Sequence, residues 1–193
     1  MTFRIENKYT VDLSKVLSFK KWVNEKKFRI KFPKRKVISI YLDNKNLKSY
    51  HDSIEGVVPR KKIRIRYYDQ LNENSEFFLE QKISSVEGRF KKSNKIKSNE
   101  MKKIINFGIK DKDYGNCKPS RIITYDRSYF YFKNYRLTFD ENIKYKKSLS
   151  SEFWKKIHNN VFEIKTNINT SEDELNLYIP FPKVRFSKYC EAF

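Results

Sequence analysis

Apolar and charged residues alternate one for one along much of this chain. A strand turns successive side chains to opposite sides, so the alternation predicts strands with two unlike faces. In Phe3-Arg4-Ile5-Glu6-Asn7-Lys8, the residues Arg4, Glu6 and Lys8 share one face, and Phe3 and Ile5 take the other. Four later segments divide the same way. Arg64 and Arg66 oppose Ile63 and Ile65; Glu80 and Lys82 oppose Leu79; Arg136, Thr138 and Asp140 oppose Leu137 and Phe139; Glu163 and Lys165 oppose Phe162 and Ile164. Helical spacing is rarer. Asp12 is placed to cap a helix carrying Leu13, Val16, Leu17 and Trp22, and Asp43 another running towards Ile54. Ser98–Phe107, Ser150–His158 and Ser171–Leu177 are shorter candidates, and His51 is expected to fix its helix to the sheet rather than to act in chemistry.

The apolar faces must be covered by helices or by another sheet. The charged faces meet either water or a shared lumen. For a single strand a solvated outer face is the ordinary state of charged residues. Five such strands weigh against it, because Glu-x-Lys recurs at Glu6/Lys8, Glu80/Lys82 and Glu163/Lys165 where a random surface would also use Ser, Thr, Gln and Asn. If the charged faces converge, two like charges 4 Å apart repel by about 4 kcal/mol at an effective dielectric of about 20. Such a lumen needs carboxylates and a bound polyanion to offset that cost.

Composition narrows the partner. With 193 residues, 38% hydrophobic and 16 Phe and 13 Tyr among them, the chain is expected to fold as one domain covering residues 1–193. Its 43 Lys and Arg against 23 Asp and Glu leave a formal charge of +20, which calls for an anionic partner: nucleic acid, an acidic membrane surface or a small polyanion. Cys117 and Cys190 stand alone, without a CxxC pair or a secretory leader, so a disulfide framework is not expected and a cytoplasmic setting is. No apolar run reaches the roughly 20 residues that cross a bilayer. Four glycines without GxxxxGK[ST] exclude a P-loop, so phosphate recognition would have to come from side chains.

Taken in order, several segments resemble the VTC domain, a family of the triphosphate tunnel metalloenzymes. They are Glu6-Asn7-Lys8, Tyr50-His51-Asp52 leading to Gly56, Arg60-Lys61-Lys62-Ile63-Arg64-Ile65-Arg66-Tyr67-Tyr68 and Phe78-Leu79-Glu80-Gln81-Lys82. Tyr125-Asp126-Arg127, Arg136-Leu137-Thr138-Phe139-Asp140, Phe162-Glu163-Ile164-Lys165 and Phe186-Ser187-Lys188-Tyr189 complete the set. The resemblance implies an α+β fold, an eight-stranded antiparallel β-barrel with flanking helices. It also implies a polyphosphate polymerase that passes the γ-phosphoryl group of ATP to a growing chain with Mn²⁺ or Mg²⁺. Position by position, Lys8, Arg64, Arg66, Lys82 and Lys188 correspond to catalytic and phosphate-binding residues, and Arg127 and Arg136 to further phosphate contacts. Lys165, on the face of Glu163, joins that set. Lys91 is a further contact, although Arg89-Phe90-Lys91-Lys92 could place Lys92 there instead. Glu163 corresponds to the metal ligand, with Glu80 and Glu6 as further candidates. Arg4 stands where related tunnel enzymes often carry another glutamate, which weakens the case for two metal ions.

Phosphoryl transfer asks mainly for positioning and charge neutralisation. Arg meets two phosphate oxygens with its planar fork, Lys supplies a mobile point charge, and a glutamate suits a hard cation. Glu6 and Glu80 could instead pair with Lys8 and Lys82, and Asp140 is expected to orient Arg136. The expected partners are ATP, pyrophosphate and polyphosphate, with room for a membrane-protein partner and peripheral placement at a membrane; nucleic acid is not expected. A tunnel triphosphatase, in which water attacks, and a non-catalytic polyphosphate-binding subunit are the alternatives.

Overall fold

The computed structural model describes residues 4–69, 71–72, 75–167 and 178–193. Phe3 and the helix candidate Ser171–Leu177 lie outside these residues. The long strands are β1 (Arg4–Val11), β2 (Arg29–Asp43), β3 (Arg60–Tyr68), β4 (Phe77–Ser85), β5 (Gly88–Ile96), β7 (Gly115–Phe132), β8 (Tyr135–Lys146) and β10 (Asn160–Asn167). Hydrogen bonding orders them β1-β10-β8-β7-β2-β3-β4-β5, with the short β6 (Ile109–Asp111) on β7 and β9 (Lys155–Lys156) on β8. The pairs β1–β10, β10–β8, β2–β3, β3–β4, β4–β5 and β6–β7 are antiparallel. Among the described residues the α-helices are α1 (Val16–Glu25), α2 (Lys48–Glu55) and α3 (Ser98–Phe107), and none is long and apolar enough to cross a membrane.

The chain gathers into two compact units. The first comprises Met1–Arg35, Tyr125–Ile143 and Lys156–Phe186. Its core sets Tyr9 and Val11 of β1, Phe162 and Ile164 of β10, and Leu137 and Phe139 of β8 against Phe19, Trp22 and Val23 of α1. The rings stack closely, with Phe19 4.4 Å from Phe139 and Tyr9 4.9 Å from Phe162. Leu13 and Leu17, expected on the buried stripe, are instead exposed. A 3₁₀ turn at Leu13–Lys15 precedes α1, and the stripe runs through Val16, Phe19 and Val23, which puts Leu17 about 100° away. Asp12 makes no side-chain cap there.

The second unit comprises Lys36–Thr124, Lys144–Lys155 and Ser187–Phe193. Its core packs Ile38, Ile40 and Leu42 of β2 and Ile63 and Ile65 of β3 with Phe77, Tyr114, Cys117 and Met101 of α3. The expected alternation therefore holds on β3, whose even-numbered side chains lie opposite this core. Asp43 serves α2 as expected, though from a distance, since its carboxylate accepts the backbone N–H groups of Ser49 (3.0 Å) and Tyr50 (3.1 Å) in the first turn. Gly56 ends the helix at φ 83°, a conformation glycine adopts without a Cβ penalty. His51 does not anchor α2; it is exposed, and the buried Ser49 does that work by donating to the Lys61 carbonyl at 2.8 Å. Ser150–His158 is not a helix. Strand pairing takes its backbone instead: β9 joins β8, and the Ile157 N–H donates to Ile143 O at 2.9 Å.

Candidate functional site

In the second unit, register aligns the polar faces of β2, β3, β4 and β5 into cross-strand rows. One row runs Tyr41, Arg64, Glu80, Ser93; another runs Lys62, Lys82, Lys91. Glu80 is the hub of this face. It is 4% exposed, and its Oε2 accepts Arg64 Nε at 2.8 Å, lies 2.7 Å from a second Arg64 nitrogen and 3.5 Å from Arg66, while Oε1 lies 2.5 Å from Lys91 Nζ. Burial alone would raise its pKa, but Arg64, Arg66 and Lys91 pull it down to about 2. Glu80 is thus a fixed anion that holds three cations in place.

Further basic residues gather on this face. Like charges directly opposite on neighbouring strands repel, and Lys62, Lys82 and Lys91 form such a row. Lys62 Nζ donates to Ser187 Oγ at 2.9 Å, and its pKa is lowered by burial first, with Lys82 and Arg60 acting the same way. Tyr41 registers the same field. Although burial raises a phenol's pKa, Arg64, Arg66 and Lys188 bring that of Tyr41 down to about 8, and Arg64 donates to its oxygen at 2.9 Å. Its ring stacks on Tyr189 at 4.9 Å, whose own hydroxyl donates to Asp43 at 2.6 Å and is pushed up by burial and that carboxylate. Ser39, across from Arg66, has a fully buried hydroxyl with no hydrogen-bond partner among the described residues.

The polar face of the first unit is closer to balance. Register sets Glu6 against Lys165 and Lys165 against Arg136, then Lys8 against Glu163 and Glu163 against Thr138. Lys165 Nζ lies 3.0 Å from Glu163 and 3.4 Å from Glu6. Burial lowers its pKa, and the two glutamates more than reverse this, so the net shift is upward. Lys8 Nζ donates to Phe186 O at 2.8 Å. Arg127 and Asp140 meet in a two-pronged pair, Nε to Oδ1 at 2.6 Å and NH2 to Oδ2 at 2.7 Å, which keeps the arginine charged despite its burial. The Thr138 hydroxyl is buried with no hydrogen-bond partner among the described residues. A cavity of about 230 Å³ beside this face is lined by Arg136, Lys165, Thr166, Lys31, Tyr131 and Lys133.

The sequence-predicted residues therefore fall into two sets. Arg64, Arg66, Glu80, Lys82, Lys91 and Lys188 belong to the second unit; Glu6, Lys8, Arg127, Arg136, Glu163 and Lys165 belong to the first. Two pairings differ from expectation: Glu80 binds Arg64, Arg66 and Lys91, and Asp140 orients Arg127. Glu6 approaches Lys165. Lys91 is on the polar face, whereas Lys92, paired with Gln81, takes the other. The sequence reading assigns no role to Tyr41, Lys62 or Ser39, and it puts Thr138 on the polar face without one. The signal for Lys62 was present, since it shares the parity of Arg64 and Arg66. Among the described residues no group of three or more His, Cys, Asp or Glu gathers to hold a metal ion.

Solved structures share this fold at low identity. A putative adenylate cyclase from Bacillus halodurans superposes with a TM-score of 0.60 at 14% identity, covering 96% of this chain and 94% of that one. A conserved hypothetical protein from Pyrococcus furiosus gives 0.53 at 13%, covering 91% and 86%. A putative adenylyl cyclase from Hippeastrum, described as having a dominant triphosphatase activity, gives 0.51 at 12%, covering 91% and 83%. They bear out the expected fold class, an eight-stranded antiparallel sheet with flanking helices. No curated protein matches the sequence. The VTC domain model matches residues 3–115 and 109–193. With almost its whole length matched, and with the fold to agree, the chain belongs to the VTC domain family.

Proposed function

We propose that this protein is a polyphosphate polymerase that transfers the γ-phosphoryl group of ATP to a growing polyphosphate chain, assisted by Mn²⁺ or Mg²⁺. The observation that carries this reading is the row Lys62-Lys82-Lys91 beside Arg64 and Arg66, a concentration of positive charge with Glu80 as its buried counter-charge. Such a face is costly when empty and is relieved by a polyanion with many oxygens. In this reading Arg64, Arg66, Lys82, Lys91 and Lys188 bind phosphates in the second unit. Lys8, Arg127, Arg136 and Lys165 do so in the first.

The donor set fits a hard divalent cation in one place. Glu6 and Glu163 already share the ammonium of Lys165, so two carboxylates converge on a single positive charge, and the oxygens are of the kind such ions prefer. Glu6 and Glu163 would hold the ion, which when bound supplies charge neutralisation on phosphate oxygens. Glu80, occupied by three cations, has the role of positioning Arg64 and Arg66. In the transfer itself a terminal oxygen of the acceptor chain forms a bond to the γ-phosphorus, the bond to the β-bridging oxygen breaks, and ADP leaves. Arginines on the equatorial oxygens neutralise the charge that this displacement spreads over them.

The test is incubation of the full chain with ATP, Mn²⁺ and pyrophosphate, with products resolved on a gel stained for polyphosphate. A ladder is expected. Orthophosphate without a ladder would replace this reading with a triphosphatase, and binding without turnover would replace it with a polyphosphate-binding subunit.

A further inference from the structure

From the end of β8 to the start of β9 the second unit carries a segment whose composition the phosphate chemistry does not use. Lys144 to Lys155 holds four lysines, one acid, Glu152, and no arginine. Within it Phe153 is 85% exposed, Leu149 44% and Trp154 42%. Three large apolar side chains within six residues, all held out in water, call for a partner. The segment is nevertheless shaped. Lys146 Nζ donates to Leu149 O at 3.1 Å and Ser151 O at 3.0 Å and lies 5.3 Å from the Trp154 ring, so one lysine gathers the loop and props the indole.

We propose that this loop is a contact site for an anionic lipid bilayer, with Leu149, Phe153 and Trp154 entering the headgroup region and Lys144, Lys147 and Lys155 facing lipid phosphates and carboxylates. The choice of occupant rests on charge complementarity and side-chain type. Trp and Phe settle at the membrane–water boundary, where the ring is buried and the indole N–H stays hydrated. Lysines respond to a diffuse negative surface as point charges, while fixed phosphates in a nucleic-acid groove favour the arginine fork that this segment lacks. The proposal does not depend on the polymerase reading.

Flotation of the full chain with vesicles of phosphatidylserine and phosphatidylcholine in equal parts tests it, with vesicles of phosphatidylcholine alone as the control. Binding to the mixed vesicles only is expected, falling at least about tenfold in Phe153→Ser combined with Trp154→Ser. Each of Lys144→Ser, Lys147→Ser and Lys155→Ser should weaken it about fivefold. Circular dichroism and triphosphate turnover should be unchanged in all of these variants, because the substituted side chains are exposed and none of them is among the residues assigned to phosphate or metal. No binding, equal binding to the neutral vesicles, or binding that survives loss of both aromatic rings would overturn the proposal. A short DNA duplex that binds more tightly than the vesicles and is lost in the same variants would assign the loop to nucleic acid instead.

Discussion

Lys62 and Lys165 occupy the same kind of place, the polar face of a central strand pair, yet their pKa values move in opposite directions. Burial lowers both. For Lys62 burial dominates, Cys190 and Tyr41 oppose it without reversing it, Lys82 and Arg60 reinforce it, and the net shift is down; for Lys165, Glu163 and Glu6 overcome it, and the net shift is up. One residue type thus reports two fields. On the β3–β4–β5 face of the second unit, Arg64, Arg66 and Lys91 gather on the buried Glu80, with Lys62 and Lys82 alongside, an arrangement that suits an incoming polyanion. The first brings Glu6, Glu163 and Asp140 among its basic residues, a near balance that suits a cation together with a phosphate. Charge count over the whole chain hides this division, because +20 is a sum over both faces and the outer surface.

The contrast breaks most readily at the two glutamates. Glu163→Gln should reduce metal-dependent turnover by roughly a thousandfold while triphosphate binding, read by calorimetry, is kept or strengthened, since a negative charge leaves a basic face. Glu80→Gln should loosen Arg64 and Arg66 and weaken the affinity for triphosphate as well. Equal effects of the two substitutions on binding would erase the distinction between the units.

Stability sharpens it next. Asp140→Asn leaves the Arg127 guanidinium in a buried setting without its counter-charge, at a cost of about 3–5 kcal/mol in urea unfolding. On acidification, Glu80 gives the complementary signal. Its folded-state pKa of about 2 lies below the usual value of 4.5, so its contribution is fully present above 4.5 and is lost as pH falls towards 2. Glu80→Gln should flatten that part of the stability profile; an unchanged profile would remove Glu80 from its role as hub.

The smallest effect is optical. Of the 13 tyrosines, one is expected to ionise at about 8, read as phenolate absorbance, and to vanish in Tyr41→Phe. Because the folded-state pKa lies below the ordinary 10, the unfolded chain holds the extra proton between the two values, and stability should rise with pH through that window. Added triphosphate should move the transition upward by neutralising Arg64, Arg66 and Lys188. A transition that stays fixed would mean that the anion binds away from this face.

Period-two alternation by itself determined that Arg64, Arg66, Glu80, Glu163 and Lys165 lie on polar strand faces opposite an apolar core, because side-chain direction on a strand follows from parity alone. Ser98–Phe107 was likewise legible as a helix, with Met101, Ile104 and Ile105 at helical spacing on one side. What parity cannot supply is the neighbour. That Asp140 grips Arg127 and not Arg136, or that Glu80 gathers Arg64, Arg66 and Lys91 and not Lys82, depends on strand order, register and side-chain reach. The same holds for Tyr41: an aromatic in an apolar run reads as core, and only the tertiary structure brings Arg64 to its hydroxyl and makes it part of a charged face.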